Sequence, residues 1–180
     1  MRNRIVAPLF CILVCMVSIL AATVSAQGQQ DPKKQYDLAL DQAIIHYEQF
    51  KIHLENNESA KAVKELRAIV AIEFPDGFEG SDGVLLQVDA HILLGEMIVE
   101  NAAREKDAKK KTALLEEAVA LFKSGLLKAP AVNELTYQLY MDLGHAYKLA
   151  GKKDDALKAF ESAEKINRKL QEIQKQSKSG

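Results

Sequence analysis

Apolar residues recur at spacings of three and four from about residue 35 onward, and this periodicity constrains the fold more than any other feature. Such spacings place apolar side chains along one face of an α-helix. Proline and glycine interrupt the pattern. Between the interruptions we predict six helices, over residues 35–55, 59–73, 83–104, 110–128, 133–150 and 153–175. The connections are short, so consecutive helices are expected to form antiparallel hairpins in an all-α fold.

The start of the chain has the organisation of a secretory signal peptide. Arg2 and Arg4 precede an uncharged apolar run that begins at Ile5, and small residues lead to a cleavage site after Ala26. The alternative is an uncleaved membrane anchor over residues 5–26, because about 20 apolar residues span a bilayer. Either way the rest of the chain is expected outside the cytoplasm, in the periplasm or secreted.

This organisation divides the chain into four segments. We predict a signal peptide over 1–26, a flexible segment over 27–34, a helical domain over 35–175 and a disordered tail over 176–180. Both cysteines, Cys11 and Cys15, lie in the signal peptide, which leaves the exported part without a thiol for disulfides, zinc or haem attachment. The formal net charge is −1 and two of the basic residues belong to the signal, so a nucleic-acid partner is not expected.

No recognisable catalytic or cofactor-binding motif is present in the sequence. Gly-x-Ser-x-Gly, phosphate-loop and dinucleotide-binding patterns are absent. The acidic loop at Asp76, Glu79 and Asp82 lacks the alternating ligands and closing glutamate of an EF-hand. The histidines are His46, His53, His91 and His145. None of them forms a pair at zinc-binding spacing. We therefore predict structural or surface histidines, no metal, no cofactor and no enzymatic activity.

The last two predicted helices carry the most specific pattern in the chain. Its residues are Tyr140, Leu143, Gly144 and Tyr147, followed by Ala156, Phe160 and Ala163. This pattern resembles the tetratricopeptide repeat, in which an aromatic residue, Leu-Gly and Tyr precede Ala and Phe within about 34 residues. Small residues at Gly144 and Ala156 are expected where the two helices of the hairpin touch.

The preceding pair of helices repeats this pattern. The matching residues are Leu94, Gly95, Ala118, Phe122 and Pro130. The interval from Gly95 to Ala118 is nearly twice that from Gly144 to Ala156, and the extra residues fall around 101–112. They either lengthen both helices or form a charged loop. The first pair of helices matches only weakly, and an ordinary helical bundle with an accidental match is the alternative.

The resemblance implies a short right-handed α-solenoid of stacked hairpins, with a concave groove lined by the first helix of each hairpin. The groove residues that it implies are Asp89, Ile92, Leu93, Glu96, Val99, Gln138, Met141, Asp142, His145 and Lys148. A member of this family would be a scaffold or adaptor that binds a protein or peptide in that groove.

One recognition mode of the family is not expected in this chain. A subclass grips a terminal carboxylate through lysine and asparagine, but Ile92, Glu96, Met141 and His145 stand in those places. Two alternatives to an open groove remain at this point. In the first, the protein is a structural subunit that self-associates through the same surface. In the second, the C-terminal helix fills the groove of its own chain. A membrane contact is expected only if the signal is not cleaved.

Overall fold

The computed structural model describes residues 31–178 and forms six α-helices in that part of the chain. They are α1 (Pro32–Glu55), α2 (Ser59–Val70), α3 (Asp82–Arg104), α4 (Ala108–Lys128), α5 (Glu134–Leu149) and α6 (Lys153–Lys178). No strand occurs among these described residues. The prediction of six helices in an all-α fold is confirmed, and each end lies within about one turn of its predicted position. The predicted signal peptide lies outside the described residues.

Two helix ends differ from the predicted segment boundaries. Helix α1 begins at Pro32, inside the segment predicted to be flexible over 27–34. Proline suits the first turn of a helix, because the amide hydrogen that it lacks has no partner there. Helix α6 continues to Lys178, into the tail predicted to be disordered over 176–180. No proline or glycine precedes Gly180 there, so nothing in the sequence stops the helix.

The extra residues around 101–112 lengthen two helices and do not form a long charged loop. Helix α3 runs to Arg104 and α4 begins at Ala108, so three residues connect them. The Asp107 side chain accepts hydrogen bonds from the backbone amides of Lys109 and Lys110 at 2.9 and 3.0 Å. This bond pattern caps the start of α4, because the first amides of a helix have no intrahelical acceptor.

Each helix packs against the next one along the chain, and two further contacts join helices that are not consecutive. Helix α1 contacts α3, and α3 contacts α5. Within the described part of the chain, α2, α4 and α6 do not approach one another in this way, and α6 contacts α5 alone. Helix α3 is therefore the central element, since it packs against α1, α2, α4 and α5.

Two glycine–phenylalanine contacts hold the helices of the last two hairpins together. Gly95 of α3 lies under the ring of Phe122 in α4, and Gly144 of α5 lies under the ring of Phe160 in α6. A Cβ atom at either glycine would overlap the ring. The atoms nearest to a Cβ at Gly144 would all belong to the Phe160 ring, so the two helices of this hairpin approach each other closely at Gly144. The other small or apolar pattern residues with buried side chains are Leu94, Ala118, Leu143, Tyr147, Ala156 and Ala163. Pro130 and Tyr140 are half-buried.

Side chains from α1 and α3 complete the ends of neighbouring helices. Nε2 of Gln87 donates to the carbonyl oxygens of Ile69, Val70 and Ile72 at 3.2, 3.0 and 2.6 Å. The last carbonyls of a helix have no intrahelical donor, so this amide satisfies the end of α2. The backbone amide of Gly83 donates to the Tyr36 hydroxyl at 3.1 Å.

Replacing Gly95 by alanine is expected to destabilise the protein, although alanine is the better helix former. On helix propensity alone the change would stabilise by about 1 kcal/mol. The new methyl group overlaps the Phe122 ring, so the net effect should be a loss of about 1–3 kcal/mol in the free energy of unfolding. Urea unfolding monitored by circular dichroism measures the change.

The double variant Gly95→Ala/Phe122→Leu tests the cause. Its loss should be smaller than the sum of the two single losses, because the smaller side chain leaves room for the new methyl group. Asn101→Ala, at an exposed position of the same helix, is the control and should not destabilise. A more stable Gly95→Ala protein would contradict the contact.

Candidate functional site

Four of the ten predicted groove residues lie together in a cleft between α3 and α5. The cleft has a volume of about 190 Å³. The predicted residues in its lining are Glu96, Val99, Asp142 and His145, and the further lining residues are Glu100, Ala103 and Phe122. We call this feature the α3–α5 cleft. No residue of α6 lines it, so the C-terminal helix does not fill this part of the surface.

The remaining predicted groove residues lie around the cleft or away from it. Nε2 of Gln138 donates to Asp142 Oδ2 at 3.0 Å and lies 3.4 Å from Glu96 Oε1, which places this amide at the edge of the cleft. The other side chains that do not line the cleft but keep some exposure are Asp89, Leu93, Met141 and Lys148.

The prediction that Ile92 faces the groove is wrong. The family pattern implied a groove-facing side chain, but Ile92 is only 4% exposed and belongs to the hydrophobic core. Helix α3 packs against four other helices, and little of its surface remains open to solvent. A partner in the groove would therefore not contact Ile92.

Three residues of the cleft lining, Glu100, Ala103 and Phe122, are not among the groove residues predicted from the sequence. Glu100 and Ala103 follow Glu96 at intervals of four and seven, so helical spacing alone extends the same face of α3 by two turns. Phe122 was predicted only as a packing residue. Its fully buried ring lies both on Gly95 and at the base of the cleft.

The lining of the cleft combines an apolar base with carboxylates at its edge. Val99, Ala103 and Phe122 provide the apolar part. Burial raises the pKa of Asp142, and the charge of His145 opposes that shift. Burial also raises the pKa of Glu96, and the negative charge of Asp142 adds to the increase. The two carboxylates thus disfavour each other's ionised form.

A third carboxylate extends this acidic character along α3. Burial raises the pKa of Asp89, and a hydrogen bond with the side chain of Tyr47 opposes the shift. Glu100 already has a cation, since Nη2 of Arg104 lies 2.5 Å from its Oε1. Among residues 31–178, neither Glu96 nor Asp142 forms an ion pair with a lysine or arginine.

The histidines outside the cleft have separate partners. Nδ1 of His46 lies 2.7 Å from Glu65 Oε2, and Nδ1 of His53 lies 2.6 Å from Glu58 Oε2. His91 is buried, its Nδ1 is 2.7 Å from the Gln87 carbonyl oxygen, and burial lowers its pKa. Residues 31–178 contain no cluster of three or more side chains arranged to hold a metal ion.

Comparison of the chain with protein-family models, with curated proteins and with solved structures finds no match. None of the helices between residues 32 and 178 is long and apolar enough to cross a membrane. The alternative of an anchor over residues 5–26 lies outside the part of the chain that the structure describes. The geometry of the cleft is therefore the main source of functional information.

Replacing Asp142 by asparagine should change how stability depends on pH. A raised pKa means that the folded state binds a proton more readily than the unfolded state, whose aspartate pKa is about 3.9. The free energy of unfolding of the wild type therefore falls as pH rises from that value through the raised pKa of the folded state. The asparagine variant lacks this loss, so its stability relative to the wild type should increase over the same window.

Urea unfolding between pH 3.5 and 7.5 would measure this difference. Glu172→Gln, at an exposed position on α6, is the matched control for loss of one carboxylate. An Asp142→Asn protein whose relative stability is constant across the window, or decreases with rising pH, would contradict the electrostatic description of the cleft.

Proposed function

We propose that the protein is an exported scaffold of tetratricopeptide type that binds a protein or peptide partner at the surface formed by α3 and α5. One observation carries this proposal: the α3–α5 cleft gathers four residues that the family pattern assigns to the groove. Helices α3 and α5 contribute most of the lining. They also contact each other, which supports one continuous surface formed by both.

The packing of the helices supports a curved stack of three hairpins. Helices α1, α3 and α5 contact one another in succession, whereas α2, α4 and α6 have no such contacts within the described residues. Hairpins whose first helices lie closer together than their second helices curve toward the first helices. This curvature would place α3 and α5 on the concave side, as in a right-handed α-solenoid, where repeat proteins hold their partners.

The chemistry of the surface suits binding. An apolar base supplies area that a partner removes from water, and the few polar groups at the edge fix its orientation. Val99 and Asp142 are both half-buried and line the cleft, and Met141 is a half-buried apolar side chain of α5 outside the lining. An extended segment or a helix with an apolar face would contact such a surface, with aliphatic anchors contributing most of the affinity.

Export is a further part of the proposal and rests on the sequence of the first 26 residues. Cleavage after Ala26 would release a protein that begins at Gln27, and failure to cleave would leave the chain anchored in the membrane. Mass spectrometry of the protein purified from its native cells distinguishes the two products. A cytoplasmic product that retains Met1 would contradict export.

Ala103→Trp should abolish partner binding without unfolding the protein. Ala103 is exposed and lines the cleft, so a large side chain at this position blocks the site from outside the core. Crosslinking followed by affinity purification from the envelope fraction would compare this variant with the wild type. Ala113→Trp, at an exposed position of α4, is the control. Partners recovered with the wild type and the control should be lost with Ala103→Trp.

The same variants separate a bound partner from self-association. Light scattering over a range of protein concentrations measures the oligomeric state. A stable oligomer that dissociates in Ala103→Trp would favour the alternative of a self-associating structural subunit. An unchanged set of partners in all three proteins would refute binding at the cleft.

A further inference from the structure

We propose that the α3–α5 cleft binds a lysine or arginine side chain of the partner. The aliphatic stem of that side chain would lie on the apolar base, and its cationic head would lie at Glu96 and Asp142. This inference rests on the proposed function, because it specifies the chemistry of a partner that occupies the same cleft.

The size of the cleft fits one inserted side chain. Its volume is about 190 Å³. Sites for free small molecules generally measure about 300–1,000 Å³. A long side chain that belongs to a larger partner needs only a cleft of this size, since the rest of the partner lies on the surrounding surface of α3 and α5.

The distribution of apolar and acidic groups fits an amphipathic cation. Lysine and arginine side chains lay their methylene groups along apolar surface and keep the charged head in a polar environment. Val99, Ala103 and Phe122 form the apolar part, and the carboxylates stand at its edge. A purely apolar side chain would leave Glu96 and Asp142 without a lysine or arginine partner, and an acidic one would add a further negative charge.

Among residues 31–178, no lysine or arginine pairs with these two carboxylates, and the charge of His145 in the cleft lining acts on Asp142. Gln138 is the neutral donor shared by Asp142 and Glu96, and it cannot compensate their charge. Arg104 pairs with Glu100, which also lines the cleft. Burial together with repulsion from Asp142 raises the pKa of Glu96, so a bound cation would remove an unfavourable interaction that exists in the free protein.

A selection with a library of displayed random peptides, each about a dozen residues long, tests the proposal. The bait is the protein purified after expression of the full chain. We expect the selected peptides to share a lysine or arginine next to aliphatic residues. Replacing that lysine by norleucine keeps the stem and removes the charge. This change should weaken binding roughly tenfold or more, as expected for loss of a charge-assisted hydrogen bond.

Variants of the protein provide the complementary test. Glu96→Gln and Asp142→Asn keep the shape of the side chains and should each weaken binding of the selected lysine peptide roughly tenfold. Glu172→Gln on the exposed part of α6 should leave the affinity unchanged. Affinity should fall with added salt, because the edge of the cleft is open to solvent. Circular dichroism verifies that each variant is folded.

The outcomes distinguish this inference from the proposed function. Peptides that lose binding in Ala103→Trp but show no preference for lysine or arginine would overturn the cation site and leave groove binding in place. Peptides whose binding survives Ala103→Trp would overturn both. Failure of the wild type to select any peptide would also overturn both. Affinity that is unchanged in Glu96→Gln and in Asp142→Asn would overturn the cation site.

Discussion

The contact of a phenylalanine ring with a glycine in the facing helix determines how closely the two helices approach in each of the last two hairpins. Phe122 lies on Gly95 and Phe160 lies on Gly144, at distances that leave no room for a β-carbon. Close packing of this kind is sensitive to even one added methyl group. The Phe122 ring also forms the base of the α3–α5 cleft, so the depth of the candidate site depends on the same core contact that joins α3 to α4.

The acidic edge of the cleft has a cost for stability that core packing has to offset. Burial raises the pKa values of Glu96 and Asp142 in the cleft and of Asp89 outside its lining, so the ionised forms are disfavoured in the folded protein. Neutral amides at two of these positions would relieve the repulsion while preserving the shape of the surface. Sites that bind a ligand of opposite charge commonly carry such a cost, since the free energy that they lose in the unbound state becomes available on binding.

The helices were predictable from the sequence because proline and glycine mark most of their ends and because apolar spacing is regular within them. Gly95 and Gly144 were predictable as close contacts from the motif itself. The conformation of segment 101–112 was not predictable, because a charged stretch is compatible with a loop or with longer helices. The structure shows that Asp107 caps the start of α4 and that both helices are longer. Ile92 was assigned to the surface because the family pattern describes one repeat at a time, whereas its burial results from packing of α3 against several neighbours.

The hydrogen bonds of Gln87 and Tyr36 bear on how the protein unfolds. Arrays of helical hairpins can lose a terminal hairpin while the rest stays folded, because each unit contacts only its neighbours. Here the side-chain amide of Gln87 in α3 donates to carbonyl groups at the end of α2, and the hydroxyl of Tyr36 in α1 accepts from the backbone amide of Gly83 in the first turn of α3. Separating the first hairpin would expose unpaired backbone groups on both sides of the break. Amides of α1, α2 and α3 should therefore exchange with solvent through one cooperative opening, rather than by fraying from the amino-terminal end.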